Sequence, residues 1–195
     1  MRWLKTPLRR DFYARSTVEV ARGLLGKILV RGETAARIVE TEAYLGEGDL
    51  AAHSAAGLTD RTRVIFGPPG HAYIYLSYGV HHCLDVVAET DGKPGCVLVR
   101  AAEPVAGIGA MRVRRPKARR LSDLASGPGK LAAALGLTLA HNGLDVTRSP
   151  ELTIHEPRPR TEFEIAVGPR VGISKSVDLP LRFSIADNEH VSRSR

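Results

Sequence analysis

The sequence is poor in the features that mark several special classes of protein. Its two cysteines, Cys83 and Cys96, are too few for a disulfide-stabilised scaffold and are typical of a reducing compartment. No apolar run approaches the ~20 residues of a membrane-spanning helix, and the first residues lack the apolar stretch of a secretory signal. Low-complexity tracts are also missing. These absences predict a cytoplasmic globular protein with no membrane partner.

What the chain has in excess is positive charge. Its 195 residues carry 28 Lys and Arg against 21 Asp and Glu, a net charge of +7. This balance favours a polyanionic partner, because neutralised phosphates release condensed counterions. The length fits one domain with a sizeable core over residues 1–195, in which we expect 1–7 and 189–195 to be flexible.

Local patterns predict short helices among many strands. Ser16 and Glu19 have the spacing of a capping box, so a helix is expected over 17–25. Pro128 suits the first turn of another helix, which Gly136 ends. Alternation and β-branched residues predict strands at 27–30, 37–44, 72–77, 80–89, 96–102, 152–155, 163–167, 170–174 and 181–186.

The connections complete the predicted fold. Residues 45–70 are rich in Gly and Pro and are expected to be mostly loop, with a helical turn around 50–54. Tyr78 and Gly79 join two strands as a hairpin, and a further helix is expected near 104–112. We therefore predict a single α+β domain with a largely antiparallel, curved sheet flanked by short helices.

Two glutamates lie on one face of the strand at 37–44. Alternation groups Glu40 and Glu42 with Ile38 and Tyr44, and places the two carboxylates about 7 Å apart. Like charges at that spacing raise at least one pKa, which suits a general base that takes a proton from water. A solvated strand face explains the same spacing. The aromatic Tyr44 and the nearby His53 favour a site that holds a flat ring beside an activated water.

Three of the five tyrosines fall within the eight residues AYIYLSYG. Alternation directs Tyr73 and Tyr75 to one face, whereas Tyr78 is out of phase with them. The other face receives the aliphatic side chains Ala72, Ile74 and Leu76. A core strand with half-buried tyrosines is one interpretation. The other is a stacking platform with an inserting side chain at the hairpin tip, since base–aromatic stacking contributes ~1–3 kcal/mol.

Neither a metal site nor a nucleoside triphosphate site is predicted. His81 and Cys83 share a strand face, but structural zinc needs four convergent ligands. The stretch SGPGK at 126–130 lacks the spacing of a phosphate loop, although its helix N-terminus and Lys130 could meet one phosphate.

Two groups of basic residues bear on a polyanion-binding function. The densest basic run, 112–120, is either a solvated segment or a contact to a DNA backbone through Arg112 and Arg114, with Lys130 as a further contact. Arg100 lies in an otherwise apolar strand, where an unpaired charge is costly, and Glu42 is available to pair with it.

Seven motifs occur in this order along the chain: RIVETEAYLG, AAHS, FGPPGHAYIYLSYG, HHCLDVV, CVLVRAAEP, SGPGKLAAALG and GPRVGIS. Over about Leu8 to Phe183 the chain resembles the alkyladenine (3-methyladenine) DNA glycosylase family. Its members are single-domain α+β enzymes that flip a damaged purine out of duplex DNA and hydrolyse its N-glycosidic bond without metal, cofactor or covalent intermediate. The resemblance implies a monomeric, nucleoid-associated repair enzyme whose partner is damaged double-stranded DNA.

The resemblance also implies roles for particular residues. Glu42 is the general base, and Arg100 and the backbone carbonyl of Val171 help to hold the attacking water. Tyr78 is the wedge that replaces the flipped nucleotide. The base pocket is formed by Tyr44, His53, Tyr73, Tyr75, Asp85 and Leu98. Because no lysine falls within the motifs that carry this site, we expect simple hydrolysis to an abasic product.

One position departs from the family pattern, because Asp85 stands where members commonly carry Asn. An ionised Asp accepts but does not donate hydrogen bonds, and its charge favours cationic bases such as N3- or N7-alkylated purines. The hypothesis is that Asp85 biases the enzyme toward charged alkylpurines over neutral lesions such as hypoxanthine. An ion pair of Asp85 with Arg100 or a histidine is the alternative.

Two other functions keep part of the pattern. A non-catalytic nucleic-acid-binding module would need the charge and the tyrosines but not a buried Glu42, so a solvated Glu42 would favour it. A hydrolase of free nucleosides would leave Tyr78 and the excess positive charge without a role.

Overall fold

A computed structural model describes residues 4–159 and 161–193. Its strands are β1 (Leu4–Pro7), β2 (Ile28–Arg31), β3 (Thr34–Tyr44), β4 (Ala72–Ser77), β5 (His81–Val87), β6 (Cys96–Ala106), β7 (Leu152–Pro157), β8 (Ile165–Gly168) and β9 (Arg182–Ile185). Its α-helices are α1 (Arg10–Tyr13), α2 (Thr17–Leu24), α3 (Ile108–Arg114) and α4 (Pro128–Leu135). Short 3₁₀ helices cover His53–Ala56, Arg63–Phe66, Ser122–Leu124 and Leu139–His141.

The strands form one antiparallel sheet. Its order is β1-β7-β2-β3-β6-β5-β4, and β9 pairs with both β3 and β8. The prediction of a single α+β domain with a largely antiparallel sheet is therefore confirmed. Within the described ranges, no helix is both long and apolar enough to cross a membrane.

The main core lies between one face of the sheet and the helices. Helices α2 and α4 bury apolar side chains there, among them Val20, Leu24, Leu131 and Leu135. The Thr41 hydroxyl of β3 donates to the Ala21 carbonyl of α2 at 2.9 Å. Because side chains alternate along a strand, the neighbouring Glu40 and Glu42 point to the opposite face.

The predicted signals at the helix ends are confirmed. The Ser16 hydroxyl accepts from the Glu19 amide at 3.4 Å, and the Glu19 carboxylate accepts from the Ser16 amide at 3.3 Å. This capping box starts α2, which ends one residue before the predicted 25. Helix α4 begins at Pro128 and ends at Leu135, and the Gly136 that caps it has a φ of 69°, a left-handed conformation that favours glycine.

Between β6 and β9, one predicted element begins later than expected and another is not formed. Strand β6 continues to Ala106 because it stays paired with the start of β3, so the helix expected at 104–112 begins only at Ile108. The expected strand at 170–174 is not formed, because Gly172 has a φ of 78° that interrupts an extended chain.

Two side chains also differ from the predicted alternation. A bulge between Ile38 and Glu40 puts Ile38 in the core with Val39, away from the face that carries Glu40. Leu76 was expected to pack under the sheet, yet it is 38% exposed, because β4 extends past the core toward its hairpin.

Candidate active site

The face of the sheet opposite the helices carries a cavity of about 780 Å³, a size typical of ligand sites. Strands β3 to β6 form its floor, and the segments 50–62 and 171–175 contribute its walls. Eight of the residues predicted for the site line it: Tyr44, His53, Tyr75, Tyr78, Asp85, Leu98, Arg100 and Val171. Glu42 and Tyr73 lie directly behind this lining.

Glu42 is completely buried, and three cavity-lining residues hold its carboxylate. The Val171 amide donates to Oε1 at 2.8 Å, and the Tyr44 hydroxyl donates to Oε2 at 2.9 Å. Arg100 Nη1 lies 3.4 Å from Oε1. The Val171 N–H thus binds Glu42 itself, and the role predicted for its carbonyl in holding the attacking water stays a prediction. The predicted pairing of Arg100 with Glu42 is present.

Burial raises the pKa of Glu42 above its ordinary value. The positive charge of Arg100 and the hydrogen bonds from Val171 and Tyr44 oppose this rise, and the charge of Glu40 adds to it. A carboxylate in this position is a stronger base than a solvated one, and its three donors favour the ionised form.

Glu40 shares the face of Glu42 but is engaged in a different way. Arg182 donates to its Oε1 at 2.6 Å, and the Ser192 amide donates to Oε2 at 2.7 Å. Arg100 Nε lies 3.3 Å from Glu40 Oε1 and donates to the Ser192 hydroxyl at 3.0 Å. The two glutamates therefore have different roles: Glu40 holds Arg100 in place, and Glu42 contacts the residues that line the cavity.

Aromatic side chains form one wall of the cavity. The Tyr73 and Tyr75 rings stack with centroids 5.2 Å apart and an angle of 25°. His53 meets Tyr75 edge-on at 4.6 Å. Tyr73 is buried in a small apolar cluster with Ile65, so it supports Tyr75 from behind. The tyrosine pair is thus both part of a packed strand and part of a stacking surface.

The imidazole of His53 is held on both sides. Its Nδ1 lies 3.1 Å from the Tyr73 hydroxyl, and its Nε2 lies 3.4 Å from Arg61 Nη2. Burial and the positive charge of Arg61 lower the pKa of His53, so the ring is neutral near pH 7. Because Arg61 only donates, Nε2 accepts and the proton resides on Nδ1.

Tyr78 stands at the tip of the β4–β5 hairpin and is 86% exposed. Tyr78 and Gly79 both have positive φ, 50° and 69°, as the two central residues of a type I′ turn require, and the Val80 amide donates to the Ser77 carbonyl at 3.2 Å. A tyrosine in this conformation is strained by about 1 kcal/mol or more. The turn therefore holds an aromatic ring out in solvent at the rim of the cavity.

The three basic residues predicted to contact DNA lie at two ends of α4. Lys130 is in its first turn, where Pro128 lines the cavity. At the other end of α4, Arg114 donates to the Ala134 carbonyl at 3.0 Å, and Arg112 lies on the same short helix α3. Only Lys130 is thus beside the cavity.

Residues not anticipated from the sequence fix the site. Arg170 and Asp49 form a bidentate ion pair of 2.6 and 2.8 Å whose side chains are fully buried. The Arg170 guanidinium lies 4.7 Å from the centre of the Tyr44 ring, and its neighbour Val171 contacts Glu42. Partners 121 residues apart leave no local signal. Arg170 could have been noticed only as a charge next to Val171.

Two further facts concern the chemistry of the cavity. Lys175 lies on its wall, although no lysine falls within the motifs that were predicted to form the base pocket. Over residues 4–159 and 161–193, no group of three or more His, Cys, Asp or Glu side chains is arranged to hold a metal ion.

Comparison with known proteins gives one consistent family. A sequence model described as "Methylpurine-DNA glycosylase (MPG)" matches residues 11–189. A protein of Methanocella arvoryzae named "Putative 3-methyladenine DNA glycosylase" is 52% identical over 90% of this chain and 88% of its own. A Rhodopseudomonas palustris protein of the same name is 50% identical over 95% of this chain and 88% of its own.

Proposed function

The chain belongs to the methylpurine-DNA glycosylase family, and from this we propose that it flips alkylated purines out of duplex DNA and hydrolyses their N-glycosidic bond with a water activated by Glu42. It is a DNA glycosylase for alkylated bases, as its family and relatives imply, so the predicted resemblance and enzyme class are confirmed.

Base flipping is supported by the relation between the hairpin and the cavity. Tyr78 projects into solvent at the cavity rim, so it can fill the gap that a flipped nucleotide leaves in the duplex. The flipped base then enters the cavity against Tyr75 and His53, opposite Tyr44. Damaged and weakly paired bases are the least costly to flip, which contributes to selectivity.

The observation that carries the proposal is the burial of Glu42 behind Tyr44, Arg100 and Val171, all of which line the cavity. Arg100 approaches Glu42 at 3.4 Å, longer than the 2.7–2.9 Å of a charge-assisted hydrogen bond. We propose that the attacking water binds between Arg100 and Val171 and donates to Glu42.

The chemical step then needs only the water, the substrate and Glu42. The water oxygen forms a bond to the deoxyribose C1′ as the bond from C1′ to the base breaks, and the electron pair of that bond leaves with the base. The water proton passes to Glu42. A cationic alkylpurine leaves as a neutral base, so a positioned carboxylate in a site that excludes bulk water is sufficient.

The buried Glu42 also bears on the competing functions. A non-catalytic binding module would have no need to bury a carboxylate with three donors beside a cavity, because such burial is costly. The exposed Tyr78 and the net charge of +7 favour duplex DNA over a free nucleoside. We propose hypoxanthine, a deaminated purine, as a further substrate.

We expect Glu42→Gln to bind a lesion duplex and to lose excision by about 10²–10⁴-fold, the usual contribution of a general base. The measurement is single-turnover excision of 3-methyladenine, 7-methylguanine and hypoxanthine from defined duplexes. Glu103→Gln is the matched control, because Glu103 lies in the same sheet and pairs with Arg37 away from the cavity.

Three results would contradict the proposal. Near-normal rates for Glu42→Gln would remove Glu42 as the base, and an equal loss in Glu103→Gln would indicate a general effect on the fold. Borohydride trapping of a covalent complex that disappears in Lys175→Ala would replace simple hydrolysis by a lyase mechanism.

A further inference from the structure

Asp85 is the one acidic side chain that lines the cavity in the described part of the chain. It lies within β5, is 3% exposed, and faces Tyr73 of β4 and Leu98 of β6 in register. The Cys96 thiol donates to its Oδ2 at 3.1 Å. Across residues 4–159 and 161–193, Oδ1 has no hydrogen-bond partner.

A buried oxygen without a partner calls for a donor from outside the protein. Leaving such a group unsatisfied is unfavourable, and buried polar atoms without partners are rare in folded proteins. The ion pair with Arg100 or a histidine considered above is not formed among the described residues, because Arg100 is engaged with Glu40 and Glu42. Because Asp85 lines the cavity, a ligand bound there is the nearest donor from outside the protein for this buried oxygen.

Titratable and charged groups surround Asp85 from every neighbouring strand: Glu42 and Tyr44 of β3, Tyr73 and Tyr75 of β4, Cys83 of β5, and Cys96 and Arg100 of β6. Burial raises the pKa of Asp85 to about 7, and the charge of Glu42 adds to the rise. The hydrogen bond from the Cys96 thiol and the nearby Tyr75 hydroxyl oppose the rise. Near neutral pH the carboxyl thus exists in both protonation states.

We propose that Asp85 selects cationic alkylpurines over neutral lesions by accepting, through Oδ1, a hydrogen bond from an N–H group of the flipped base. This inference rests on the proposed function, because it assumes that the flipped base occupies the cavity. Purines alkylated at N3 or N7 carry a positive charge in DNA, whereas hypoxanthine does not. A hydrogen bond between ionised partners is about twice as strong as a neutral one.

The selection acts mainly on binding. When the glycosidic bond breaks, its electrons neutralise the positive charge on the base while charge develops on the sugar. The attraction of Asp85 for the base is therefore greatest before the reaction and weaker in the transition state. Its loss should raise the enzyme concentration needed for half-maximal excision without lowering the maximal rate.

The test compares wild type with Asp85→Asn on duplexes that contain 3-methyladenine or hypoxanthine, at pH 6, 7 and 8. We expect single-turnover efficiency on 3-methyladenine relative to hypoxanthine to fall about tenfold in Asp85→Asn. In the wild type this ratio should rise with pH as Asp85 ionises, and in Asp85→Asn it should stay constant. Asp91→Asn, an exposed carboxyl outside the cavity, is the control.

The outcomes separate this inference from the proposed function. An unchanged ratio in Asp85→Asn overturns the role of Asp85 in selecting the base. An equal loss of excision of both lesions by a folded variant also overturns it, because Asp85 would then act on the attacking water. If Asp85→Asn does not fold, the wild-type pH series decides alone, and a flat ratio overturns the inference. A wild type inactive on both lesions overturns the proposed function itself.

Discussion

Because the carboxyl of Asp85 is buried, we expect the free energy of unfolding to depend on pH, which can be measured without substrate. The pKa of this carboxyl in the folded protein, about 7, lies above the 3.8 of the free side chain. The folded state therefore binds a proton more tightly than the unfolded state, and the free energy of unfolding falls as pH rises from about 4 to about 7. The penalty is absent below this window and complete above it.

The size of the penalty follows from the two pKa values. Their difference corresponds to roughly 4 kcal/mol when the carboxyl is fully ionised. Asp85→Asn removes the charge but leaves an amide whose NH₂ group lacks a partner, which costs about 1–3 kcal/mol at every pH. The pH dependence of the difference between the two proteins is free of that constant cost. Between pH 5 and pH 8 the difference in the free energy of unfolding between the two proteins should change by about 3 kcal/mol in favour of Asp85→Asn.

Denaturant unfolding of both proteins at pH 5, 6, 7 and 8 measures this difference. Glu42 also has a raised pKa, but it is present in both proteins and largely cancels. Asp91→Asn should change little, because its carboxyl is exposed. A difference between wild type and Asp85→Asn that varies by less than about 1 kcal/mol over this range would refute the reasoning.

Two further predictions concern residues around the cavity. Tyr78→Ala should weaken excision from duplexes while sparing the melting temperature, because the side chain is exposed, and Tyr78→Phe should retain activity; equal loss in both would argue against a wedge. Asp49→Asn leaves the buried Arg170 guanidinium unpaired and should destabilise the fold by about 3–5 kcal/mol, lowering the melting temperature by roughly 6–20 °C. Excision measured well below that temperature should also fall, because Val171 would no longer be held against Glu42. An unchanged thermal melt would contradict this role.

Much of the fold could be predicted from local sequence. Ser16 and Glu19 predicted the start of α2, because a capping box is formed by residues three apart. Pro128 and Gly136 bounded α4 for equally local reasons. The bulge at Ile38 could not be predicted, because it depends on pairing with β6, which lies more than sixty residues farther along the chain.

The sequence by itself determined the residue types of the site and their strand faces. The side-by-side placement of Tyr73 and Tyr75 and the out-of-phase Tyr78 follow from a period of two, which any strand imposes. The separate behaviour of Glu40 and Glu42 does not follow from that period.

Only the tertiary structure decided which of these carboxyl groups meets which partner. Ser192 satisfies Glu40 across 152 residues of chain, Val171 reaches Glu42 across 129, and nothing satisfies Oδ1 of Asp85 in the described residues. Burial and hydrogen bonding set the charge of a carboxyl, and both depend on segments distant in sequence. The stretch around Asp85 therefore showed that an acid was present, while the fold placed that acid in the wall of the cavity and left one of its oxygens without a partner.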